Sequence, residues 1–489
     1  MSKLNSLVSL VHSLSKSERK KISTLIEYKN KAPDYVCLFK LIEKDLFSDV
    51  AEIKRQFKKH NPNAALNVTV NYLLDVLLNI LITLRKEQDS NFSLFNMLLQ
   101  AKILYEKSIY KECFAFLNKV KAHATYFENY AILFIAQKME MEYLLGLDFP
   151  KITENEFLKR YSKIRDTLGK IRKINEHTFL FELLRHRIIN SGYHKQKQDF
   201  TDLTVSEISI VSNSEFNNFE IEKNHKLFQS NYLMNAGDYK SALNSLYELN
   251  DIFEKNMHLL SNPPIYYLST IEGVLESLRT IRDYKTMDYF VEKLRAIKSS
   301  SNHFKLQVLC AVFLYKLFPL IDCKRFAEAR QLLDEYRVPL IEKSNQLVLA
   351  RHFKLMIYEA IVYFGNGEYE KAKKIFFRVF YSGKNSISLL HYRAARLLYL
   401  ISLYELGKFE DIDVEINSIR KDFGKNIYQT ERLLLKFVAK ASVGRNYEIK
   451  MDSRHKSKNE MQLLQIFDFE TWVGTKLLGS AGAARGRAE

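Results

Sequence analysis

Apolar residues in this chain fall at helical intervals of three and four. Between Phe157 and Lys173, for example, Phe157, Tyr161, Ile164, Leu168 and Ile171 step by 4, 3, 4 and 3, which lays them along one stripe of a helix. Breakers are scarce, with 15 Gly and 7 Pro in 489 residues, too few turn residues for a strand-rich fold. The pattern predicts an all-α chain of long helices joined by short loops.

The first stretch, residues 1–95, reads as an N-terminal helical bundle. Ser15 with Glu18 and Asp49 with Glu52 have the spacing of capping boxes, Pro33 fits a first helical turn, and Asn61-Pro62 punctuates before the apolar run from Ala64 to Arg85. The helix expected from Asp49 to Lys59 carries Lys54, Arg55, Lys58 and Lys59, which read as a solvated face. The most apolar window, Tyr72 to Leu84, contains Asp75 and Asn79 and is too short and too polar to span a bilayer.

From about residue 96 to 442 a signature recurs in which an aromatic residue is followed three positions later by a small or apolar one. The clearest copies are Gly237-Asp238-Tyr239 with Ala242, Gly367-Glu368-Tyr369 with Ala372, and Gly407-Lys408-Phe409 with Ile412. Weaker copies lack the glycine: Tyr284 with Met287, Phe326 with Ala329, and Tyr110 with Cys113. From Tyr239 onward the rings are 45, 42, 43 and 40 residues apart. A period of this size in a helix-rich chain marks stacked helix pairs. Glycine supplies the positive φ that ends one helix, the ring fills the wedge, and the small residue lets the backbones approach. The gap of 129 residues between Tyr110 and Tyr239 is filled on this reading by two degenerate repeats between Phe149 and Thr201.

These residues resemble the tetratricopeptide (TPR) family. The copy around Tyr369 carries the fullest match, with Ala360 and Tyr363 in the first helix, Gly367 at the turn, and Ala372 and Phe376 in the second. The copy around Tyr239 keeps Gly237 and Ala242 but has Ser230 and Leu233 in its first helix. The chain departs from the family in its longer period and in generally lacking the closing proline. The resemblance implies a right-handed solenoid of antiparallel helix pairs, about six to eight of them, whose concave face grips a peptide or helix of a partner protein. Tyr239, Ala242, Tyr284, Phe326, Ala329, Tyr369, Ala372 and Phe409 would be its repeat-defining residues.

Charge adds a second element. Lysine and arginine number 74 against 57 acidic residues, a net charge of +17, a balance that attracts acidic proteins, nucleic acid or anionic membrane. It is concentrated on the stripe already described, where Lys159, Lys163, Arg165, Lys170, Arg172 and Lys173 line a cationic ridge beside the apolar face. Such a ridge either touches an acidic partner or phosphate or is simply solvated. Residues 443–489 show no apolar repeat and read as a basic, flexible tail ending in a Gly/Ala/Arg-rich stretch.

Catalytic chemistry is not legible. The one dense glycine run, Gly365-Asn366-Gly367, falls inside a repeat turn and not between strand and helix. Neither a nucleophile elbow nor an HExxH helix is present. Cys37, Cys113, Cys310 and Cys323 have no paired spacing and read as small core residues of a reducing compartment. His186 and His194 are the nearest approach to a histidine constellation. The sequence therefore leads to a non-enzymatic, cytoplasmic scaffold or adaptor with no cofactor, no metal and no membrane insertion, and with a protein partner. The rival expectation is a nucleic-acid-associated regulator that uses a basic helical face.

Overall fold

The computed structural model describes residues 3–28, 33–44, 50–86, 89–190, 200–212, 218–299, 301–383, 388–441 and 457–485. Every regular element among the described residues is helical. The first five helices are α1 (Lys3–Ser13), α2 (Lys16–Tyr28), α3 (Pro33–Lys44), α4 (Val50–His60) and α5 (Leu66–Arg85). The capping box between α1 and α2 forms as its spacing predicts: Ser15 N–H donates to Glu18 Oε2 at 2.8 Å, and Glu18 N–H donates to Ser15 Oγ at 3.2 Å. Asp49, of the second expected box, lies outside the described residues. Leu7, Leu38, Phe57, Leu73 and Leu77 are fully buried in a core confined to residues up to Leu81.

The expected boundary at residue 95 moves back. It falls inside α6 (Ser90–Glu106), which packs on α7 (Tyr110–Tyr126) and shares its core. There follow α8 (Tyr130–Leu145), α9 (Glu154–Asn190) and α10 (Thr201–Ser212). Where two degenerate repeats were expected between Phe149 and Thr201, the described residues 154–190 form a single helix of 37 residues instead. The reason is local: no glycine or proline capable of turning the chain lies inside it except Gly169, around which a Cβ would meet open space. At a rise of about 1.5 Å per residue the helix is about 55 Å long. Along that length it feeds separate small cores: Ile164 with Met141 and Leu144, Ile171 and Ile174 against the α6–α8 cluster, and Leu180 and Leu184 with Leu203 and Phe228.

The rest of the chain is α11 (Phe219–Ala236), α12 (Tyr239–Lys255), α13 (Ile265–Thr280), α14 (Tyr284–Ala296), α15 (Asn302–Asp322), α16 (Phe326–Glu335), α17 (Leu349–Gly365), α18 (Tyr369–Gly383), α19 (Leu389–Glu405), α20 (Phe409–Phe423), α21 (Gln429–Ala441), α22 (Lys458–Ile466) and α23 (Phe469–Arg485). From α11 to α21 each helix packs on the next, with the α16–α17 connection also carrying a short 3-10 turn at Ile341–Gln346; α13 also touches α15, α15 touches α17, and α17 touches α19. A single continuous core runs from Phe181 to Val473. By length and composition α5 and α15 are each apolar enough to cross a membrane, but 72% of the apolar window of α15 is buried inside this core, against 33% for α5.

All six aromatic positions of the repeat signature open a helix: Tyr110, Tyr239, Tyr284, Phe326, Tyr369 and Phe409. The residues three later, Cys113, Ala242, Met287, Ala329, Ala372 and Ile412, are at most 1% exposed. The residue two before each ring is left-handed. At Gly237, Gly367 and Gly407 φ is 87°, 79° and 67°; Ser108, Arg282 and Lys324 take the same region at 58°, 61° and 58° without being glycine. Each turn then closes with the same bond from the following N–H to the carbonyl five residues back, as in Asp238 to Leu233 (3.0 Å), Arg325 to Leu320 (2.7 Å) and Glu368 to Tyr363 (2.9 Å), the six-to-one bond of a Schellman cap. The copies weaker in sequence are equal in geometry. A seventh turn, at Glu128 (φ 48°) before Tyr130, has the same bond from Asn129 to Ala124 at 2.8 Å.

Candidate functional site

The expected cationic ridge divides in two. On α9, Lys159, Lys163 and Lys170 line a cleft of about 790 Å³ whose other walls are α7, through Asn118, Lys121, Ala122 and Thr125, and α8, through Tyr130, Leu133, Gln137, Glu140 and Met141. Arg165, Arg172 and Lys173 are exposed and take no part in it, and Arg172 is held by Glu176 at 2.9 Å. The apolar stripe of the sequence is also narrower than expected: Ile164 is buried, whereas Tyr161 and Leu168 remain 55% and 45% exposed. The true inner face steps by seven through Phe157, Ile164 and Ile171.

Electrostatics in the cleft centre on Glu140, a nearly buried carboxylate on α8. Lys121 Nζ and Arg160 Nη1 each donate to it at 2.6 Å, from α7 and α9 respectively, so the acid is neutralised and ties the two walls together. Lys170 Nζ lies 5.0 Å from the centre of the Tyr130 ring, within cation–π range. Among the described residues Lys159 and Lys163 have no ion-pair partner. Gln137 is only 8% exposed, and its Oε1 accepts no hydrogen bond. Sequence reading missed both Gln137 and Glu140, which stand with Lys138 and Glu142 in a polar interruption of the otherwise apolar run Ala131–Leu145.

The second surface is the edge formed by the repeat turns, and it is covered by the chain's own C-terminal helices. The expectation of a flexible tail beyond residue 442 is corrected for residues 457–485; residues 442–456 and 486–489 lie outside the described residues. Gln462 Nε2 donates to the Tyr239 hydroxyl at 3.0 Å, and Gln465 Nε2 donates to Thr280 Oγ1 at 3.1 Å. Phe467 meets Phe364 edge-on at 5.6 Å. Trp472 Nε1 and Lys476 Nζ both donate to Glu405, at 2.8 and 2.7 Å. Leu463, Phe469 and Val473 are fully buried in the large core. The segment thus reaches from the turn at Tyr239 to the turn before Phe409. Its signal in sequence is Leu463, Ile466, Phe469 and Val473 at spacings of three, three and four, beside the single tryptophan.

Arg279 joins this segment to the array. It is 3% exposed, donates to Asp322 through Nε (2.9 Å) and Nη2 (2.7 Å), and donates to the Gln465 carbonyl at 2.7 Å, with its guanidinium 4.0 Å from the Phe318 ring centre. Deeper in, burial pushes the Cys310 thiol up to about 12 and the Tyr315 hydroxyl well above its ordinary value. Burial, then Lys354 and Arg279, pull His391 down to about 3. All three groups sit within the array and away from the cleft. Cys113 and Cys310 are buried as expected, but Cys323 is exposed. His194 lies outside the described residues. Among the described residues no group of three or more His, Cys, Asp or Glu is placed to hold a metal ion.

No family model, no curated protein and no solved structure matches this chain.

Proposed function

We propose that this chain is a non-enzymatic protein–protein interaction scaffold of the cytoplasm, built as a TPR-like, right-handed solenoid of antiparallel helix pairs that binds a peptide or helix of a partner protein. The stacking of helices two apart, from α13 to α19, and the recurrence of one turn geometry support the solenoid reading. The observation that carries the binding reading is the seat of α22 and the start of α23. An array that buries Leu463 and Ile466 of a short helix and Phe469 just after it, and satisfies the polar groups of Gln462 and Gln465 on successive turns, has the surface needed to hold an amphipathic helix. Helix-in-groove recognition uses the same kind of anchors.

A protease site placed between Ala441 and Ser457 of the full-length protein tests this. After cleavage the C-terminal segment should co-elute with the array on gel filtration and exchange with an added fluorescent peptide of residues 457–478. A segment that dissociates, and an array that takes up no peptide, would sink the reading.

A further inference from the structure

We infer that the α7–α9 cleft is a second binding site, for an extended, acidic segment of a partner polypeptide whose carboxylates meet Lys159, Lys163 and Lys170 and whose backbone meets the Gln137 carboxamide. This rests on the reading of the chain as a protein-binding scaffold and adds a distinct site with a stated chemistry. Four observations carry it.

First, the cleft is open but built. Glu140 bridges Lys121 and Arg160 across it, so two of its walls are tied through one nearly buried carboxylate, and the guest meets a preformed site.

Second, the charge is unspent. Five cations line the cleft against three carboxylates, Glu140, Glu156 and Asp166; Glu140 pairs with Lys121 and Arg160, and Glu156 lies at the start of α9, where its Oε2 accepts from Thr153 N–H at 3.2 Å. Lys159 and Lys163, unpaired among the described residues, and Lys170, which lies over the Tyr130 ring and feels the Glu128 carboxylate, remain to receive anionic groups. From Lys159 to Lys170 is eleven residues of one helix, about 16 Å of rise. An extended chain crosses that distance in about five residues.

Third, Gln137, among the residues lining the cleft, is an amide nine-tenths buried whose buried Oε1 accepts no hydrogen bond. A buried polar atom without a partner is costly. A carboxamide offers one acceptor and two donors, the complement of a peptide group, which offers one donor and one acceptor.

Fourth, the lining favours this guest over nucleic acid. For single-stranded nucleic acid the cleft provides one ring, Tyr130, already covered by Lys170, where stacking platforms need several. Leu133, Met141 and Ile164 instead offer apolar floor for a side chain between two acidic ones.

The test is fluorescence anisotropy on the full-length protein with a short labelled peptide of alternating glutamate and leucine, its C-terminus amidated, against a lysine–leucine counterpart and a labelled oligothymidylate. The acidic peptide should bind, more weakly as salt rises. Lys159→Glu with Lys163→Glu should reduce its affinity by about tenfold or more. Gln137→Leu should reduce it several-fold with the salt dependence unchanged and the melting temperature undiminished, which separates lost recognition from lost folding. Arg165→Glu with Lys173→Glu, on exposed positions outside the cleft, should leave it intact. Absence of binding by the acidic peptide, equal loss in the control pair, or tighter binding of the oligothymidylate would overturn the proposal. If the acidic peptide fails while the cleaved C-terminal segment still exchanges, only this second site is lost; if both fail, the scaffold reading goes with it.

Discussion

The two halves of the chain use the same turns and arrive at different cores. Up to α10 the buried side chains fall into small separate clusters, while from α11 onward one core continues through to α23. The difference lies in where the chain turns. Beyond Tyr239 a left-handed residue ends a helix every 40 to 45 residues, so alternate helices meet and their apolar faces merge. In the first half α9 runs on for 37 residues without turning. It feeds several clusters in turn and reaches the large core only through Phe181, and the space left beside α7 and α8 is the cleft.

That contrast extends to buried charge and can be broken there first. Arg393 and Glu431 are 4% and 0% exposed at their side chains and form a bidentate pair, with Arg393 Nε 2.7 Å from Glu431 Oε1 and its guanidinium between the Phe423 and Tyr428 rings. Glu431→Leu strands the arginine inside the continuous core and should cost about 3–5 kcal/mol, most of it restored by adding Arg393→Met. Glu140→Leu strands Lys121 and Arg160, whose side chains are 21% and 35% exposed and can turn to water, and should cost only about 1–2 kcal/mol. Denaturant titration of both variants measures the gap. Equal losses would mean that the two halves are packed alike.

A smaller effect is expected from volume. Ala372 is fully buried where α18 crosses α17, and Ala372→Leu should lose about 1–3 kcal/mol by overpacking. Ala122, exposed along the cleft, should accept leucine within about 0.5 kcal/mol. Thermal melts that move equally for both would remove the distinction between a closed core and an open cleft.

The repeats were legible because their signals are local. An aromatic that opens a helix and a small residue one turn later stand within four positions of each other, and all six copies open helices in the structure. The long α9 was misread because a period was extended across a gap with no turn residue to support it. Gly365 was seen only as part of a turn, although a Cβ there would collide with the Phe326 ring of the preceding repeat, a contact between residues 39 positions apart. The cleft was half legible for the same reason: the spacing put Lys159, Lys163 and Lys170 on α9, but that Gln137 and Glu140 of another helix face them depends on tertiary packing. The C-terminal seat was overlooked because its apolar pattern is short and its partners, from Tyr239 to Glu405, lie up to 223 positions away.

The finest test concerns the turns themselves. Lys324 and Arg282 hold φ values of 58° and 61° where stronger copies of the repeat have glycine. An L-residue with a Cβ pays roughly 1–2 kcal/mol in that region, and glycine returns part of this in unfolded-state entropy. Lys324→Gly should therefore raise stability by at most about 1 kcal/mol, because the bond from Arg325 N–H to the Leu320 carbonyl needs no side chain. The reciprocal change, Gly367→Lys at φ 79°, should lower it by about 1–2 kcal/mol. Opposite shifts of the melting midpoint would establish that one turn geometry is imposed on every copy by the packing around it, whatever residue occupies it. Shifts of the same sign would show that the lysine and arginine turns are relaxed in a way their backbone angles do not reveal, and that the repeats differ in more than sequence.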